Sequence, residues 1–346
     1  MSYSIVIPCY KSSHTIRTVV EETAAEMERL GKTPFEFVLV DDCSPDGGET
    51  ARELRAVAND HDFVRAVCLA HNVGQHNAII CGLNYAEGDV IILMDDDGQT
   101  HPSQLETMLG GLDDDHDVVY GYYDDKKHSG FRNFGSWFTH TTVRILIGKP
   151  KDMKTSSFVC MKKYVRDSII TYPAHYTQMQ GLILRTVATD RIASVPIQHF
   201  DRAYGESGYT LKKLLSLWSN IAGFSVVPLQ MAQRFGIFTT ACGVLGLIWL
   251  LFRKIISKTK IAGWTSTMMT MIILAGIIIL TLGIVGEYVG RVFLTMGNYP
   301  QYVVRETYGE GMLKSEEKHS GEAMPKGGVK PKSDMNDDRQ EGDAIC

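Results

Sequence analysis

The stretch Val90-Ile91-Ile92-Leu93-Met94-Asp95-Asp96-Asp97-Gly98-Gln99 places three consecutive carboxylates directly after a run of apolar residues. A short apolar run bounded by turn residues predicts a strand that is buried on both faces. Adjacent carboxylates repel one another unless a cation or hydrogen-bond donors offset their charge. Mg²⁺ or Mn²⁺ suits such oxygen ligands, taking one or two carboxylates and completing its shell from substrate phosphates. The stretch therefore predicts either a metal site or an acidic turn that caps a helix near residues 100–102.

Around this stretch, apolar runs alternate with segments of helical periodicity. Strands are predicted at 4–7, 35–40, 64–69, 90–94 and 117–120, and helices at 14–30, 48–58 and 74–87, followed by a helix at 134–147 and a strand at 156–161. This alternation indicates an α/β fold with a doubly wound, mostly parallel sheet. Ligands of such sheets bind beyond the carboxyl ends of the strands. Because Pro8, Tyr10, Asp41 and Asp42 also follow strands, we expect one crevice to gather them with the acidic stretch.

The composition excludes some classes of protein. A chain of 346 residues exceeds what one compact core usually contains, which predicts a main domain and an additional part. Its net charge of −5 gives no support for nucleic-acid binding. Seven cysteines without metal-type spacing favour a reducing compartment over a disulfide framework. Since residues 4–8 already form a predicted strand, we expect no signal peptide before the fold.

Two uncharged segments, 235–252 and 261–286, dominate the later part of the chain. As helices, each is long enough to cross a bilayer core of about 30 Å, and two buried helices of a soluble core are the alternative. They predict a transmembrane hairpin, preceded at 210–222 by a helix that lies in the membrane interface or packs on the main domain. Basic residues in the connection at 253–260 leave the topology open on charge alone. From about residue 306 the polar composition predicts a disordered tail.

Four motifs carry a family resemblance. They are Ser4-Ile5-Val6-Ile7-Pro8-Cys9-Tyr10, Val40-Asp41-Asp42-Cys43-Ser44-Pro45-Asp46-Gly47, Asn72-Val73-Gly74-Gln75 and Asp95-Asp96-Asp97-Gly98-Gln99. In order and spacing they resemble family 2 glycosyltransferases of the GT-A fold. Three later stretches narrow the resemblance to the polyprenyl-phosphate branch, which includes dolichol-phosphate mannose synthase and bacterial undecaprenyl-phosphate glycosyltransferases. These are Arg202-Ala203-Tyr204-Gly205-Glu206-Ser207-Gly208-Tyr209, Leu282-Gly283-Ile284-Val285-Gly286-Glu287-Tyr288 and Pro300-Gln301-Tyr302.

The resemblance covers roughly residues 2–306 and implies a domain order. A GT-A catalytic domain would occupy 1–209, juxtamembrane helices 210–233, two transmembrane helices 234–290, and a tail 291–346. It implies an inverting enzyme that moves one sugar from a nucleotide-sugar, UDP-linked rather than GDP-linked, to a polyprenyl phosphate. We expect a multi-pass protein of the inner (plasma) membrane with a cytoplasmic catalytic domain. Small residues in the hairpin offer packing surfaces for a homo-oligomer.

The same resemblance implies a role for each candidate residue. The nucleotide-sugar would be bound by Pro8, Tyr10, Asp41, Asp42, Gln75, Asp95 and Asp96. Asp95, Asp97 and Gln99 would hold Mg²⁺ or Mn²⁺, and Arg132, Arg202 and Ser207 would contact the acceptor phosphate. Catalytic roles would fall to Asp97, Arg202 and Asp152. For Arg132, an ordinary solvated arginine is the alternative.

Two stretches depart from the family pattern. Lys11-Ser12 stands where many relatives carry Asn-Glu, which puts part of the nucleoside contact in question. Lys154-Thr155-Ser156-Ser157-Phe158 stands where relatives often show Asp-Ala-Gly-Asp-Phe, so a carboxylate proposed as catalytic base is absent and Asp152 is its stand-in. A phosphate monoester has a second pKa of about 6 and is mostly dianionic at neutral pH. We therefore expect activity without a strong general base.

Two other functions remain open at this stage. One is a glycosyltransferase that elongates a polysaccharide or glycolipid, although the Gln-x-x-Arg-Trp motif of processive synthases does not occur here. The other is an inactive relative that serves as a membrane-tethered scaffold. The missing Asp-Ala-Gly-Asp favours the scaffold, and the intact set Asp95, Asp97 and Gln99 opposes it.

Overall fold

The computed structural model of the protein describes residues 1–123, 149–150, 153–173, 177–198, 227–256, 263–297 and 300–311. The chain separates into two compact units. The first unit comprises residues 1–97 and 300–346, and the second comprises residues 98–299. The range 1–209, predicted as one catalytic domain, is thus divided after Asp97.

Strands and helices alternate as the sequence predicts, with ends that differ by a few residues. The strands are β1 (Tyr3–Cys9), β2 (Phe35–Asp41), β3 (Val64–Leu69), β4 (Val90–Leu93), β5 (Val118–Tyr123), β6 (Val159–Lys162), β7 (Ile192–Ile197) and β8 (Val304–Tyr308). The helices are α1 (Ile16–Arg29), α2 (Glu49–Asp60), α3 (Gln75–Tyr85), α4 (Leu105–Gly110), α5 (Lys163–Ile169), α6 (Met179–Thr186), α7 (Val227–Ile256) and α8 (Trp264–Met296). Single 3₁₀ turns lie at Pro102–Gln104 and Thr189–Arg191. The predicted helices at 134–147 and 210–222 lie outside the described residues.

The first unit is built on strands in the order β4-β1-β2-β3-β8. The first four run parallel, and β8 is antiparallel to β3. Every residue of β1 and β2 is buried, because strands of a parallel sheet are covered on both faces. Ile5, Ile7 and Phe37 have no exposed surface, and burying each such side chain contributes about 1.5–3 kcal/mol. This core holds the strand ends, and hence the loops beyond them, in place.

Helix α3 packs closely on the centre of this sheet. A Cβ at its Gly82 would lie 2.4 Å from Cγ1 of Val6 and 3.2 Å from Cγ2 of Val40. Only glycine permits this approach of helix to strands. The close packing sets the position of the amino end of α3, where Gln75 lies.

The strand β8 corrects one prediction. The sequence predicts a disordered tail from about residue 306, but residues 306–308 pair with β3, with Glu306 opposite Cys68 and Tyr308 opposite Ala66. Tyr302, two residues before this strand, is only 1% exposed. The tail prediction therefore begins too early, because residues far apart in the chain supply the pairing that local composition does not reveal.

In the second unit, β5 lies between β7 and β6. It is parallel to β7, with Val118 opposite Ile192, and antiparallel to β6, with Val118 opposite Met161. The predicted strand at 156–161 is thus confirmed as β6, and the protein has a mixed α/β architecture. Helices α7 and α8 are 30 and 33 residues long. Counting the residues that the structure describes, none of the helices is long and apolar enough to cross a membrane.

Candidate active site

Three strand ends of the first unit meet at one edge of its sheet. β4, β1 and β2 are neighbours and run parallel, so the loops after Leu93, Cys9 and Asp41 leave the same edge. The amide of Asp42 donates to the carbonyl of Cys9 at 3.0 Å, and the amide of Met94 donates to the carbonyl of Val6 at 3.2 Å. These bonds continue the pairing beyond the strands. The predicted gathering of acidic residues at this edge is thus what the structure shows for the first unit.

Asp96 is held by the loop that follows β1. Its Oδ2 accepts from the backbone amide of Tyr10 at 3.0 Å and from the hydroxyl of Ser12. Burial raises the pKa of Asp96, while the hydrogen bonds from Ser12 and Tyr10 oppose that rise. The side chain of Tyr10 is 48% exposed, so its ring remains available to a planar ligand. Ser12, which departs from the family pattern, therefore has a defined partner in the acidic stretch.

Asp42 shapes the loop before α3. Its Oδ1 accepts from the amide of Val73 at 2.7 Å, and its Oδ2 accepts from the amide of Gly74 at 2.9 Å and from Nδ2 of Asn72 at 3.0 Å. Gly74 has a φ of +85°, which disfavours side-chain-bearing residues. Burial raises the pKa of Asp42, and the two amides oppose the rise. Both carboxylate oxygens of Asp42 therefore accept hydrogen bonds from this loop.

Asp41 has a different set of partners. Its Oδ1 accepts from both the amide and the hydroxyl of Ser44, at 3.1 and 2.6 Å. The Ser44 hydroxyl in turn accepts from the amide of Lys11 at 3.0 Å, which joins the loops after β1 and β2. Within the described part of the chain, Oδ2 of Asp41 has no hydrogen bond, although the residue is only 3% exposed. Burial raises the pKa of Asp41, opposed by Ser44. Among the described residues, this oxygen is thus an acceptor that the fold does not use.

A chain of two hydrogen bonds connects Ser12 to the beginning of α2. The amide of Ser12 donates to Oγ1 of Thr50 at 2.9 Å, and that hydroxyl donates to Oδ2 of Asp46 at 2.5 Å. Burial acts to raise the pKa of Asp46, but hydrogen bonds from Thr50 and Gly48 outweigh it and lower the pKa. Sequence reasoning missed Ser12, Ser44 and Thr50 as parts of the site. The sequence motif around Asn72 indicates the family resemblance, but it does not predict the hydrogen bond between Asn72 and Asp42.

The acidic stretch also contacts α3. Nε2 of Gln75 donates to Oδ1 of Asp95 at 3.0 Å, so Gln75 orients a predicted metal ligand. Asp95 and Asp97 are half-buried carboxylates on the same short segment. Gln99, the third predicted ligand, belongs to the second unit. Among the described residues, no group of three or more His, Cys, Asp or Glu side chains has the arrangement to hold a metal. Mg²⁺ commonly takes only one or two protein carboxylates, and Asp95 and Asp97 fit that requirement.

The predicted acceptor and base residues cannot be placed in this site. Arg132, Asp152, Arg202 and Ser207 lie outside the described residues. Their roles remain predictions.

The second unit contains a buried carboxylate of another kind. Asp117 is 3% exposed and accepts from Nζ of Lys162 at 2.7 Å, from the hydroxyl of Tyr164 at 2.6 Å and from the guanidinium of Arg191. Hydrogen bonding to Arg191, supported by Lys162 and Tyr164, holds the pKa of Asp117 well below its ordinary value. This cluster fastens β5 to the segments that begin α5 and β7.

Comparison with known proteins identifies relatives of this chain. Residues 4–169 match the model of the family described as glycosyl transferase family 2. The undecaprenyl-phosphate 4-deoxy-4-formamido-L-arabinose transferase of Edwardsiella ictaluri (strain 93-146) is 30% identical over 308 residues, which is 87% of this chain and 93% of that protein. The protein of the same name from Enterobacter sp. (strain 638) is 27% identical over 90% of this chain and 94% of the relative.

Solved structures show a weaker likeness. The glucosyl-3-phosphoglycerate synthase of M. tuberculosis is 18% identical, covers 64% of this chain and 78% of its own, and superposes with a TM-score of 0.49. The sequence relatives therefore carry more weight than this structural match.

Proposed function

Since the chain belongs to glycosyl transferase family 2, we propose that it transfers a single sugar from a nucleotide-sugar to a polyprenyl phosphate. The observation that carries the proposal is the set of three carboxylates at the strand ends of the first unit, buried Asp41 and Asp42 and half-buried Asp96, in a chain whose relatives are undecaprenyl-phosphate sugar transferases. Among the described residues none of the three forms an ion pair, and carboxylates whose pKa is raised by burial are typical of ligand-binding sites.

In the proposed nucleotide-sugar site, Asp41 contacts the ligand and Asp42 supports the neighbouring loop. Oδ2 of Asp41 is the acceptor for an N–H or hydroxyl group of the nucleoside, while Asp42 holds the loop that begins α3. The exposed ring of Tyr10 offers a face on which a base stacks. We propose a UDP-linked donor, as the family resemblance implies.

A divalent metal, Mg²⁺ or Mn²⁺, is part of the proposal. Asp95 and Asp97 would hold it, because hard oxygen donors suit these ions and substrate phosphates complete their shell. When bound, the metal would offset the negative charge of the donor diphosphate. The contributions of this chain are the hydrogen bond from Gln75 that orients Asp95 and the loop bonds that hold Asp96.

The reaction is a single displacement with inversion. An oxygen of the acceptor phosphate forms a bond to the anomeric carbon from the face opposite the nucleoside diphosphate, and the bond to that leaving group breaks. The acceptor is mostly dianionic at neutral pH, so no proton has to be removed from it. The absence of a carboxylate in Lys154-Thr155-Ser156-Ser157-Phe158 is compatible with this chemistry.

A lipid acceptor places the enzyme at a membrane, and we propose the inner membrane with the nucleotide-sugar site in the cytoplasm. Helices α7 and α8 support this proposal, because they expose large apolar side chains along their lengths. Phe235, Phe238 and Trp249 are 53%, 63% and 57% exposed, and Ile279 and Phe293 are both 69% exposed. Apolar surface of this extent marks an interaction with lipid or with another apolar surface.

The decisive experiment offers a panel of UDP- and GDP-sugars to the full-length protein with undecaprenyl phosphate and Mg²⁺ or Mn²⁺, and identifies products by mass. We expect one lipid-linked monosaccharide that requires metal. Products with several sugars would support the elongating alternative, and no lipid-linked product from any donor would contradict the proposal.

A further inference from the structure

Lys149 in the second unit is a half-buried cation with a neutral partner. Its Nζ donates to Oγ1 of Thr155 at 2.7 Å. Burial lowers the pKa of Lys149, and no nearby charge contributes to the shift. Within the described part of the chain, no carboxylate lies within ion-pair distance of this ammonium, although Lys162, Arg166 and Arg191 of the same unit each have one. Lys149 therefore differs from these three cations, because its partner is an uncharged hydroxyl.

Such an arrangement is unfavourable in the free protein. Removing an ammonium from water costs free energy that a single hydroxyl acceptor does not fully restore. An anion placed against Nζ would restore it, because charge-assisted hydrogen bonds are about twice as strong as neutral ones. The position therefore favours binding of a small, strongly charged anion.

The surroundings place Lys149 and Thr155 where a ligand has access. Thr155 lies in the segment 153–158 that leads into β6. In that segment, Nζ of Lys154 lies 4.1 Å from the ring centroid of Tyr122, near the carboxyl end of β5, and the carbonyl of Lys154 accepts from the Ser194 hydroxyl of β7. The segment is thus packed beside two parallel strands, near the end of β5 at which α/β proteins bind ligands.

We propose that Lys149, positioned by Thr155, binds the phosphate monoester of the acceptor. This inference rests on the proposed function, since it names the group that this part of the chain recognises. The segment 154–158 contains no carboxylate, which would repel a dianionic phosphate. Its lysine and hydroxyl side chains suit an anionic nucleophile. The donor diphosphate, by contrast, would have its charge offset by the proposed metal.

The test measures the KM for undecaprenyl phosphate at saturating nucleotide-sugar, using the full-length protein and the variants Lys149→Met, Lys149→Arg and Lys163→Met. We expect Lys149→Met to raise this KM about tenfold, because a charge-assisted hydrogen bond is lost. Lys149→Arg keeps the charge and should restore most of the affinity. Lys163 lies exposed on α5 and is the matched control, so Lys163→Met should leave the KM unchanged. Thermal unfolding of each variant verifies that it is folded.

A pH series gives a readout that a purely structural role would not produce. Since burial lowers the pKa of Lys149, acceptor affinity of the wild-type enzyme should fall as pH rises through that lowered value. The Lys149→Arg enzyme should keep its affinity over the same range, because arginine stays protonated.

The outcomes separate the two proposals. If the wild-type enzyme forms no lipid-linked sugar, the proposed function fails and this inference fails with it. If the wild-type enzyme transfers sugar and Lys149→Met leaves the acceptor KM unchanged, only this inference is overturned. A rise in the KM for the nucleotide-sugar without a rise for the acceptor would also overturn it, by assigning Lys149 to the donor.

Discussion

The two units hold their buried carboxylates in opposite ways. Asp117 of the second unit is surrounded by Arg191, Lys162 and Tyr164, and its pKa is held well below the ordinary value. In the first unit, Asp41, Asp42 and Asp96 accept hydrogen bonds only from neutral amides and hydroxyls among the described residues, and burial raises the pKa of each. The fold neutralises the charge of Asp117 by itself. Among the described residues, no ion pair offsets the charge of the three carboxylates in the first unit.

We propose that this difference separates a structural carboxylate from carboxylates that bind a ligand. A carboxylate that is paired with cations stabilises the fold and has no free acceptor for a ligand. A desolvated carboxylate without an ion pair destabilises the fold but can accept hydrogen bonds from a ligand. Substitutions should therefore affect folding at Asp117 and activity at the acidic stretch.

The largest effect should come from Asp97→Asn. Loss of a metal ligand removes several kcal/mol of transition-state stabilisation, so the rate of sugar transfer at saturating substrates should fall on the order of 10²–10³-fold. The melting temperature should change little, because Asp97 is only half-buried. Steady-state kinetics with a metal titration measure the rate, and a thermal melt measures the melting temperature.

The matched control is Asp62→Asn, an exposed aspartate of the same unit. Its activity should equal that of the wild type. Unchanged activity of Asp97→Asn at limiting metal would exclude Asp97 as a ligand and weaken the contrast between the units.

The second prediction concerns Asp117→Asn. The variant leaves Lys162 and Arg191 without their carboxylate, and unfolding free energy should fall by about 2 kcal/mol, less than for a fully buried pair because both cations are partly solvated. The kcat of the folded variant should stay close to wild type. Denaturant unfolding measures the loss, and a variant as stable as wild type would refute the structural role.

The pH dependence of that loss has a definite sign. The folded pKa of Asp117 is depressed, so its stabilisation is present above the unfolded value of about 4 and disappears as pH falls below it. The pKa values of Asp41, Asp42 and Asp96 are raised, so the folded state takes up protons first and these residues destabilise it less as pH falls through that range. The stability difference between wild type and Asp117→Asn should therefore be constant at neutral pH and shrink below about pH 4.

A third prediction sharpens the comparison inside the first site. Asp41→Asn should raise the KM for the nucleotide-sugar about tenfold with little change in stability, since it alters a ligand acceptor. Asp42→Asn should instead lower the melting temperature, because an amide cannot accept from Val73, Gly74 and Asn72 with both of its side-chain heteroatoms. Isothermal titration with the nucleoside diphosphate and thermal melts distinguish the two. Identical behaviour of the two variants would contradict the division of roles.

The smallest effect is expected from Ser12→Ala. One hydrogen bond to Asp96 is lost while the amide of Tyr10 still donates, so the KM for the nucleotide-sugar should rise only about three- to tenfold. Ser12→Thr retains the hydroxyl and is the control. A larger loss in kcat than in affinity would indicate that Ser12 acts in the chemical step.

Much of the first unit was predictable because its information is local. The strands that end at Cys9, Asp41 and Leu93 consist mostly of apolar residues, and the polar residues at their ends identify the ligand edge. Partners distant in sequence were not predictable. Arg191 meets Asp117 across 74 residues, and no periodicity or spacing connects them.

The sequence reveals which positions depart from the family pattern, but it does not reveal which residues the side chains at those positions contact. Ser12 was noticed only as a missing Glu, but the structure shows that its hydroxyl reaches Asp96 across 84 residues. Likewise, Lys154-Thr155 was noticed as a missing carboxylate, while the half-buried ammonium of Lys149 that donates to Thr155 is visible only in three dimensions.

The strand β8 has a consequence for synthesis of the protein. Its partner β3 ends at Leu69, but the residues of β8 begin at Val304, so the ribosome makes the whole second unit before the first sheet obtains its last strand. Until then β3 exposes an unpaired edge, which is a surface for pairing with other nascent chains. Premature termination between Asp97 and Val304 therefore yields a chain that contains the acidic residues of the first unit but lacks the last strand of its sheet. Such fragments are expected to aggregate or be degraded rather than accumulate as active enzyme.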